Sequence, residues 1–536
     1  MTLGRGKRET IECLALSLAS GIALGLPFAF PRLWLLHYFA LVPWVLLVTR
    51  REARHTWLFL WPGAYVFGVI VWILVSSAGS PIPFLISIFF SPWYLLFVPL
   101  VRRPYLRWGV PLTILVPAAW VTVEFIRVQY SVGSVPLYPL GATQFRNISL
   151  IQIADTTGMA GVSFIVAAAS GALCDVWRER KHGVRRWLWP LPAYGIVLLA
   201  LFAYGRHQLR DPSFVKGPRI AITQPNLKHY RDSIRWKQVV DDHIAFTRLE
   251  VPADAADLIV WPENAVGRPI SDDSVYIDRL RQLAREKRSE FIFGGYSWAG
   301  KEPFMHSSAY HLSETGNLLG LYHKIYLIPW SERLAFDDWL PRISPRAQNA
   351  HRAFARSMTG MIPVGIPGPE VVVFVTETEK KRFRFAVPIC FEITSSEFAR
   401  RAVSRGAQFL LNITSEGELG EPLYTHTWAM ATYRAVENRI GVVRNGNTGI
   451  SGFIDPDGRT QSLVRGKKTG ALFLEAGTLI DQVSIDRGRL GTFYTRHGEW
   501  FVYLCGASVA LLFVLSFLFP RRRDNASSAD GRSSRP

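Results

Sequence analysis

The chain has 536 residues and a formal net charge of +19, with 49% hydrophobic but only 19% charged residues. Such a positive charge would suit a nucleic-acid-binding protein if the chain were soluble, but its apolar residues are concentrated in long uncharged stretches. The composition therefore predicts a membrane protein and argues against nucleic acid as a partner.

About eight stretches are each long enough to cross roughly 30 Å of hydrocarbon. They cover residues 11–30, 33–49, 56–76, 82–101, 109–126, 158–176, 187–205 and 500–520. We therefore predict a membrane domain over 1–205 with about seven transmembrane helices, and a C-terminal transmembrane helix over 499–520. A cleaved signal peptide is not expected, because the first stretch has no clear small-residue cleavage site and other stretches follow at once.

Lysine and arginine occupy every second connection between these stretches. The clusters are Arg5, Lys7 and Arg8; Arg50, Arg51 and Arg54; Arg102, Arg103 and Arg107; Arg178, Arg180, Lys181, Arg185 and Arg186; and Arg521, Arg522 and Arg523. The positive-inside rule places such connections in the cytoplasm. Both termini are then cytoplasmic, residues 206–498 lie on the outer side of the membrane, and residues 521–536 form a disordered cytoplasmic tail.

The outer segment alternates short apolar runs with amphipathic patterns. The predicted strands are Arg219 to Asn226, Asp257 to Asn264, Glu290 to Tyr296, Phe383 to Glu392, Ala407 to Thr414 and Gly441 to Gly449. Helical patterns lie between several of them, one of which begins at Ser271 as N-cap and continues through Leu280 and Leu283. This alternation predicts an α/β layered domain.

Polar residues follow the apolar strands where each strand ends. The segments are Gln224-Pro225-Asn226, Trp261-Pro262-Glu263-Asn264, Cys390-Phe391-Glu392 and Asn412-Ile413-Thr414. Ligands of α/β sheets bind at the carboxyl ends of the strands. We therefore expect Glu263 and Cys390 to face the same crevice.

Cys390 is the only cysteine outside the predicted membrane spans, since Cys13, Cys174 and Cys505 lie in long apolar stretches. A single unpaired cysteine at a strand end is either a candidate nucleophile or a small buried apolar residue. Lys324 by itself would be an ordinary surface lysine, but with Cys390 and Glu263 it completes a chemical set. A carboxylate can take the thiol proton, the thiolate can attack a carbonyl, and the ammonium can stabilise the oxyanion.

These residues and their neighbours resemble a known family. Trp261-Pro262-Glu263, Lys324 after Tyr322-His323, and Cys390 before Phe391-Glu392 are similar to the Glu-Lys-Cys triad of the nitrilase, or carbon-nitrogen hydrolase, superfamily. The chain from about residue 10 to 520 resembles its membrane-embedded branch, the apolipoprotein N-acyltransferases. Further matching pieces are residues 120–127, 140–144, 158–164, 434–439 and 444–451.

The resemblance implies a nitrilase-like α-β-β-α sandwich in the periplasm of a bacterial inner membrane, over residues 206–498. It implies that a phospholipid donates an acyl chain, through a cysteine thioester, to the N-terminal amine of a diacylglyceryl-modified apolipoprotein. In these roles Cys390 is the nucleophile, Glu263 the general base and Lys324 the oxyanion stabiliser. No cofactor is implied, and the sequence has no zinc-type spacing, phosphate loop or nucleotide fingerprint that would indicate a metal or nucleotide.

The same resemblance assigns supporting residues and reveals departures. Glu332 corresponds to an additional active-site carboxylate, and Phe391 and Glu392 stand where the family has a tyrosine and an acid after the cysteine. The pocket residues are expected to be Trp236, near the substrate entrance, Trp330, and the pair Glu418 and Leu419, which replaces two family aromatics. Two alternatives therefore remain, a membrane-tethered amidase or nitrilase and a non-catalytic lipid-binding or lipoprotein-binding homologue.

Overall fold

The computed structural model describes most of the chain and all three residues of the predicted triad. The described residues are 5–50, 55–74, 82–130, 138–179, 189–210, 214–227, 235–269, 275–300, 304–328, 332–334, 342, 344–359, 365–378, 381–417 and 420–519. Ser271, Trp330, Glu418, Leu419, the predicted tail and several of the basic residues noted above lie outside them.

The membrane domain consists of helices joined by short turns. The helices are α1 (Arg5–Ala29), α2 (Val42–Val48), α3 (Thr56–Ile73), α4 (Ile82–Phe90), α5 (Phe97–Trp108), α6 (Leu112–Tyr130), α7 (Ile148–Ile151), α8 (Ala154–Thr157), α9 (Met159–Glu179) and α10 (Pro190–Gln208). Proline-containing 3-10 turns at Pro31–Tyr38 and Ser91–Leu96 precede α2 and α5. These turns interrupt the second and fourth predicted spans, because proline removes a backbone donor.

Seven segments of the described chain are long and apolar enough to cross a membrane, six in this region and one at the C-terminal end. They are Lys7–Ala29, Pro31–Val48, Thr56–Ile73, Pro83–Trp108, Leu112–Tyr130, Met159–Arg178 and Trp500–Leu518. The predicted stretch 187–205 is helical in α10 but is not among the seven. The helix α10 continues past this stretch, and Arg206 and His207 in its last turn lower the mean hydropathy of the helix.

The remaining elements form an α/β domain and a final helix. The strands are β1 (Phe214–Gln224), β2 (Leu258–Val260), β3 (Glu290–Trp298), β4 (Met305–Leu312), β5 (Leu318–His323), β6 (Phe374–Thr378), β7 (Lys381–Ala386), β8 (Phe409–Thr414), β9 (Gly441–Gly446), β10 (Gly452–Ile454), β11 (Thr460–Leu463) and β12 (Gly477–Asp486). The helices are α11 (Trp236–Glu250), α12 (Val275–Lys287), α13 (Pro345–Thr359), α14 (Ser396–Ser404), α15 (Glu421–Asn438), α16 (Phe493–His497) and α17 (Trp500–Leu518).

The strands form two six-stranded sheets, in the orders β12-β1-β2-β3-β4-β5 and β11-β10-β9-β8-β7-β6. In the first sheet β1, β2 and β3 are parallel, and in the second β7, β8 and β9 are parallel. Because β3-β4 and β4-β5 are antiparallel pairs, β5 runs in the same direction as β2. The strand ends that carry Glu263 and Lys324 therefore share one edge of the first sheet.

The sheets pack face to face through buried aliphatic and aromatic side chains. Ile222 and Val260 of the first sheet and Phe385 and Leu410 of the second belong to one core cluster. The outer face of the first sheet packs on α11 and α12, and that of the second on α14 and α15. This is the predicted α-β-β-α sandwich, and the two-domain fold class is confirmed.

A buried polar junction joins the sandwich to the membrane helices. Arg439, after α15, pairs with Asp155 of α8 at 2.6 Å and with Asp457 at 3.0 Å. Glu437 accepts a hydrogen bond from the backbone N–H of Met159 at 3.0 Å. The start of α9 and the end of α15 are thus held together by paired charges and capped backbone groups.

Candidate active site

Three strand ends bring the predicted triad together in the interior. Glu263 follows β2, Lys324 follows β5, and Cys390 follows β7, and all three side chains are buried. The Lys324 Nζ lies 3.3 Å from Glu263 Oε1. The charges of Glu263 and Lys324 both act on the Cys390 thiol. The expectation that Glu263 and Cys390 share one crevice therefore agrees with the geometry.

The Lys324 ammonium is fully buried and is neutralised by carboxylates. Its Nζ lies 2.6 Å from Glu332 Oε1, in addition to its contact with Glu263. Burial lowers the pKa of Lys324, but Glu332, Glu263 and Cys390 together raise that pKa well above its ordinary value. Glu332 is itself held by the Ile328 N–H, which donates to its second oxygen at 2.8 Å. A permanent positive charge is thus kept beside the thiol.

Cys390 has an unusual backbone conformation and a protonated thiol. Its φ of +53° lies in the left-handed region, and it begins a 3-10 turn over Cys390–Thr394. Such strained positions in non-glycine residues concentrate at functional sites. Burial, reinforced by the Glu263 carboxylate and opposed by Lys324, raises the pKa of the Cys390 thiol to about 12. At neutral pH the Cys390 thiol is therefore uncharged.

Glu392 connects two segments of the site. One is the 3-10 turn Cys390–Thr394, which we call the cysteine turn, and the other is residues 324–328, which we call the lysine loop. One of its oxygens accepts hydrogen bonds from Tyr322 Oη at 2.7 Å and from the N–H groups of Ile325 at 2.7 Å and Tyr326 at 3.1 Å. The other accepts from the Ile389 N–H at 2.8 Å. Burial raises the pKa of Glu392 to about 7, against the lowering effect of these donors. The carboxylate therefore fixes the residues on either side of Lys324 relative to Cys390.

The end of β8 contacts both the Glu263 side chain and the backbone of Cys390. The Ser415 N–H donates to Glu263 Oε2 at 2.9 Å. The Asn412 side-chain amide donates to the carbonyls of Pro388 at 2.8 Å and Cys390 at 3.2 Å. The sequence predicts only a polar strand end here. The contacts themselves are not predicted, because a hydrogen bond between a backbone group and a distant residue leaves no local sequence pattern.

Arg444, on the neighbouring strand β9, contacts the residues at and after the end of β8. Its guanidinium donates to Asn412 Oδ1 at 3.3 Å and forms a buried ion pair with Glu416. Arg444 begins the segment 444–451 that resembles the family, although the resemblance assigned it no role. In the other sheet, Gly294 leaves room for the Glu263 backbone, because a Cβ at Gly294 would lie 2.5 Å from the Glu263 Cα.

A cavity of about 210 Å³ lies between the membrane helices and the site, and we call it the junction cavity. Its apolar lining includes Val121, Phe125 and Val502 from membrane helices and Leu327, Ile328 and Phe391 from the sandwich. Phe391, which follows Cys390 in the chain, is one of the lining residues, whereas Cys390, Glu263 and Lys324 are not.

Of the four predicted pocket residues, only Trp236 lies within the described part of the chain. Trp236 begins α11 and packs against Tyr276, with ring centroids 4.8 Å apart, and it does not line the junction cavity. Trp330, Glu418 and Leu419 lie outside the described residues. Within the described chain no three His, Cys, Asp or Glu side chains are grouped to hold a metal ion.

Comparison with known proteins identifies the family. The model of the apolipoprotein N-acyltransferase N-terminal domain matches residues 20–172, and that of carbon-nitrogen hydrolase matches residues 219–489. An apolipoprotein N-acyltransferase of Geobacter metallireducens is 30% identical over 94% of this chain and 95% of its own length. The chain belongs to the apolipoprotein N-acyltransferase family. It is therefore a membrane-embedded bacterial acyltransferase with a nitrilase-type catalytic domain.

More distant relatives agree with this assignment. An apolipoprotein N-acyltransferase of Chlorobaculum tepidum is 25% identical over 91% of this chain and 94% of its own length. Among solved structures, a mutant amidase from Nesterenkonia sp. AN1 in complex with butyramide is 19% identical and covers 54% of this chain and 97% of its own. Its TM-score of 0.37 is too low to support a conclusion about this chain.

Proposed function

We propose that this protein transfers a fatty acyl chain from a membrane phospholipid, through a Cys390 thioester, to the N-terminal amine of a diacylglyceryl-modified apolipoprotein. One observation carries the proposal: a buried Cys390 shares its site with Glu263 and Lys324, in a chain that aligns almost end to end with apolipoprotein N-acyltransferases. The junction cavity supports it further, because its apolar lining from the membrane helices suits a lipid chain.

The first half-reaction forms the acyl-enzyme. The Glu263 carboxylate takes the Cys390 proton, and the thiolate attacks the ester carbonyl of the phospholipid. The tetrahedral oxyanion is stabilised by Lys324, whose ammonium is held in place before the reaction begins. Collapse breaks the ester bond, and Glu263 returns its proton to the departing lysophospholipid oxygen. The thiol needs this base because its raised pKa leaves it neutral at rest.

The second half-reaction transfers the chain to the acceptor. The α-amine of the apolipoprotein attacks the thioester carbonyl, Glu263 accepts the amine proton, and Lys324 again stabilises the oxyanion. Collapse forms the amide and breaks the C–S bond, and the thiolate recovers its proton from Glu263. Water must be kept out until the amine arrives, which is consistent with the deep burial of all three residues.

Glu332 and Glu392 act as positioning residues in this scheme. Glu332 orients Lys324 and balances its charge, whereas Glu392 holds the lysine loop against the cysteine turn. Phe391 closes the junction cavity beside the thioester. Trp236, Trp330, Glu418 and Leu419 stay proposals for the acyl or acceptor pocket.

We infer that the catalytic domain faces the periplasm from the bacterial inner membrane, because the basic connections of the sequence alternate. The proposed boundaries remain 1–205, 206–498, 499–520 and 521–536. A reporter that is active only outside the cytoplasm should work when fused after residue 300 and fail after residue 181. The reverse pattern would contradict this orientation.

The decisive experiment is mass spectrometry of lipoprotein N-termini from cells with and without the protein. N-acylated termini should require the wild-type chain and should be lost with Cys390→Ser, because a hydroxyl is much harder to ionise than a thiol. Purified wild type incubated with phospholipid should gain one acyl mass that hydroxylamine removes.

Cys505→Ser is the matched control, because Cys505 is a buried cysteine of α17, far along the chain from the site. It should keep both the acyl mass and the N-acylated products. Acylation that persists in Cys390→Ser would overturn the assignment of the nucleophile. Released fatty acid or amide hydrolysis without any N-acylated lipoprotein would instead favour the hydrolase alternative.

A further inference from the structure

A second pocket lies at the opposite end of the membrane helices, between α3, α5 and α17. Its volume is about 740 Å³. We call it the basic pocket, and its lining includes Arg102, Arg103, Arg107, Trp57, Phe513 and Phe517. Three guanidinium groups from the last two turns of α5 therefore stand beside aromatic rings of two other helices.

The neutralisation of these arginines differs from that of the buried charges elsewhere. Arg103 Nε donates to Ser516 Oγ at 2.8 Å, and its guanidinium carbon lies 3.1 Å from the centre of the Phe517 ring. Arg107 Nε donates to the Phe519 carbonyl at 3.2 Å. Within the described residues no carboxylate lines the pocket, and neither arginine forms an ion pair. Arg103 and Arg107 thus bring positive charge to the pocket that no carboxylate of the described residues balances.

Its location separates this pocket from the acyl-transfer site. The start of α17 lies at the sandwich, where Glu499 accepts a hydrogen bond from Ser396 at 2.9 Å. Ser516 and Phe517 of the same helix line the basic pocket. From residue 500 to residue 516 a helix rises by roughly 24 Å, which is most of a hydrocarbon core. A lipid held here would therefore lie in the leaflet opposite the catalytic domain.

We propose that the basic pocket binds the phosphate headgroup of an anionic phospholipid. Basic pockets between transmembrane helices bind such headgroups, and arginine is suited to phosphate because its planar fork can form two parallel hydrogen bonds. Val98, Pro99 and Leu106 add an apolar wall to the aromatic rings. That wall fits acyl chains and distinguishes a lipid from free phosphate. The bound lipid would link α3, α5 and α17 and stabilise their packing.

The test measures lipid binding to the purified full-length protein in a neutral detergent, by native mass spectrometry and by the shift in unfolding temperature. Phosphatidylglycerol should bind and raise the unfolding temperature, whereas phosphatidylcholine and inorganic phosphate should have much smaller effects. Arg103→Gln with Arg107→Gln should weaken phosphatidylglycerol binding about 25-fold, since each arginine near a membrane surface contributes about a fivefold factor.

Two further variants keep the test decisive. Arg32→Gln with Arg146→Gln removes two exposed cations outside the basic pocket, so phosphatidylglycerol should bind this control as it binds wild type. Arg103→Lys with Arg107→Lys keeps the charge, and most of the binding should return. Equal binding of phosphatidylglycerol to the wild type and to the double glutamine variant would overturn the proposal. So would an unfolding shift that inorganic phosphate or phosphatidylcholine reproduces in full.

Discussion

The buried charges of the catalytic domain and the charges at the far end of the membrane domain are neutralised in different ways. Lys324 is paired with Glu263 and Glu332, and Arg439 with Asp155 and Asp457. At the far end, in contrast, Arg103 contacts only a hydroxyl and an aromatic ring among the described residues. At Lys324 and Arg439 the chain itself provides the counter-charges, whereas at Arg103 no described carboxylate does so.

This contrast has an energetic reason. A fully desolvated charge is costly unless an opposite charge and good hydrogen bonds compensate it, whereas a charge near the surface keeps part of its solvation. Removing one partner of a buried pair should therefore strongly reduce stability or activity. Removing an exposed partner of the same charged group should change them little. The following predictions test that ordering.

The largest effect is expected for Lys324→Met. The oxyanion would lose its stabilising charge, and Glu263 and Glu332 would face each other without a cation, so we expect acyl-enzyme formation to fall about a thousandfold. The measurement is the rate at which the acyl mass appears on the purified protein. Lys287→Met is the control, because Lys287 is also buried but donates to the carbonyls of Arg248 and Val251, away from the site. Similar losses in both variants would contradict the assigned role.

Arg439→Met should be the most destabilising change at the junction. It leaves the carboxylates of Asp155 and Asp457 without their buried partner, which costs about 3–5 kcal/mol in the free energy of unfolding. Arg459→Met removes a 41% exposed arginine from the same Asp457 and should cost less than about 1 kcal/mol. Thermal unfolding in detergent compares the two. Equal losses would show that burial does not determine the value of these pairs.

Glu392→Gln should have an intermediate effect. The side chain is nearly isosteric, but its amide N–H₂ must face either the Ile389 N–H or the donors of the lysine loop. A buried donor facing a donor costs about 1–3 kcal/mol, so the unfolding temperature and the acylation rate should both fall. Glu377→Gln, which removes an exposed carboxylate partner of Arg382 outside the junction cavity, serves as the control. An unchanged Glu392→Gln would indicate that this carboxylate is already protonated and needs no second acceptor.

The smallest effect concerns the pH dependence of the thiol. Only the thiolate reacts with alkylating agents, and a pKa raised from 9.0 to about 12 makes that form scarce at neutral pH. The alkylation rate of Cys390 should therefore increase about tenfold per pH unit from pH 7 to 9 without levelling. Cys390→Ser supplies the background rate. A plateau below pH 8 would mean that Lys324 outweighs burial and stabilises the thiolate.

The sequence alone determined much of this protein because the relevant signals are local. Apolar stretches predicted the membrane helices, and polar residues after apolar runs predicted the edge of the sheets where Glu263 and Cys390 lie, whereas Lys324 was indicated by its chemistry and by the family resemblance. The sequence did not predict β4, β5, β6, β10, β11 or β12, in most of which polar residues interrupt the apolar run.

Only the tertiary structure decided how the site works. The Lys324 contact with Glu263 spans 61 positions, and the Ser415 contact with the same carboxylate spans 152. Such contacts exist because two sheets pack face to face, and no local pattern encodes which backbone N–H will meet which oxygen. The positive φ of Cys390 and the neutral state of its thiol likewise follow from burial by distant segments. The sequence specifies the residue types, but their protonation states and hydrogen-bond partners depend on the packing that removes water around them.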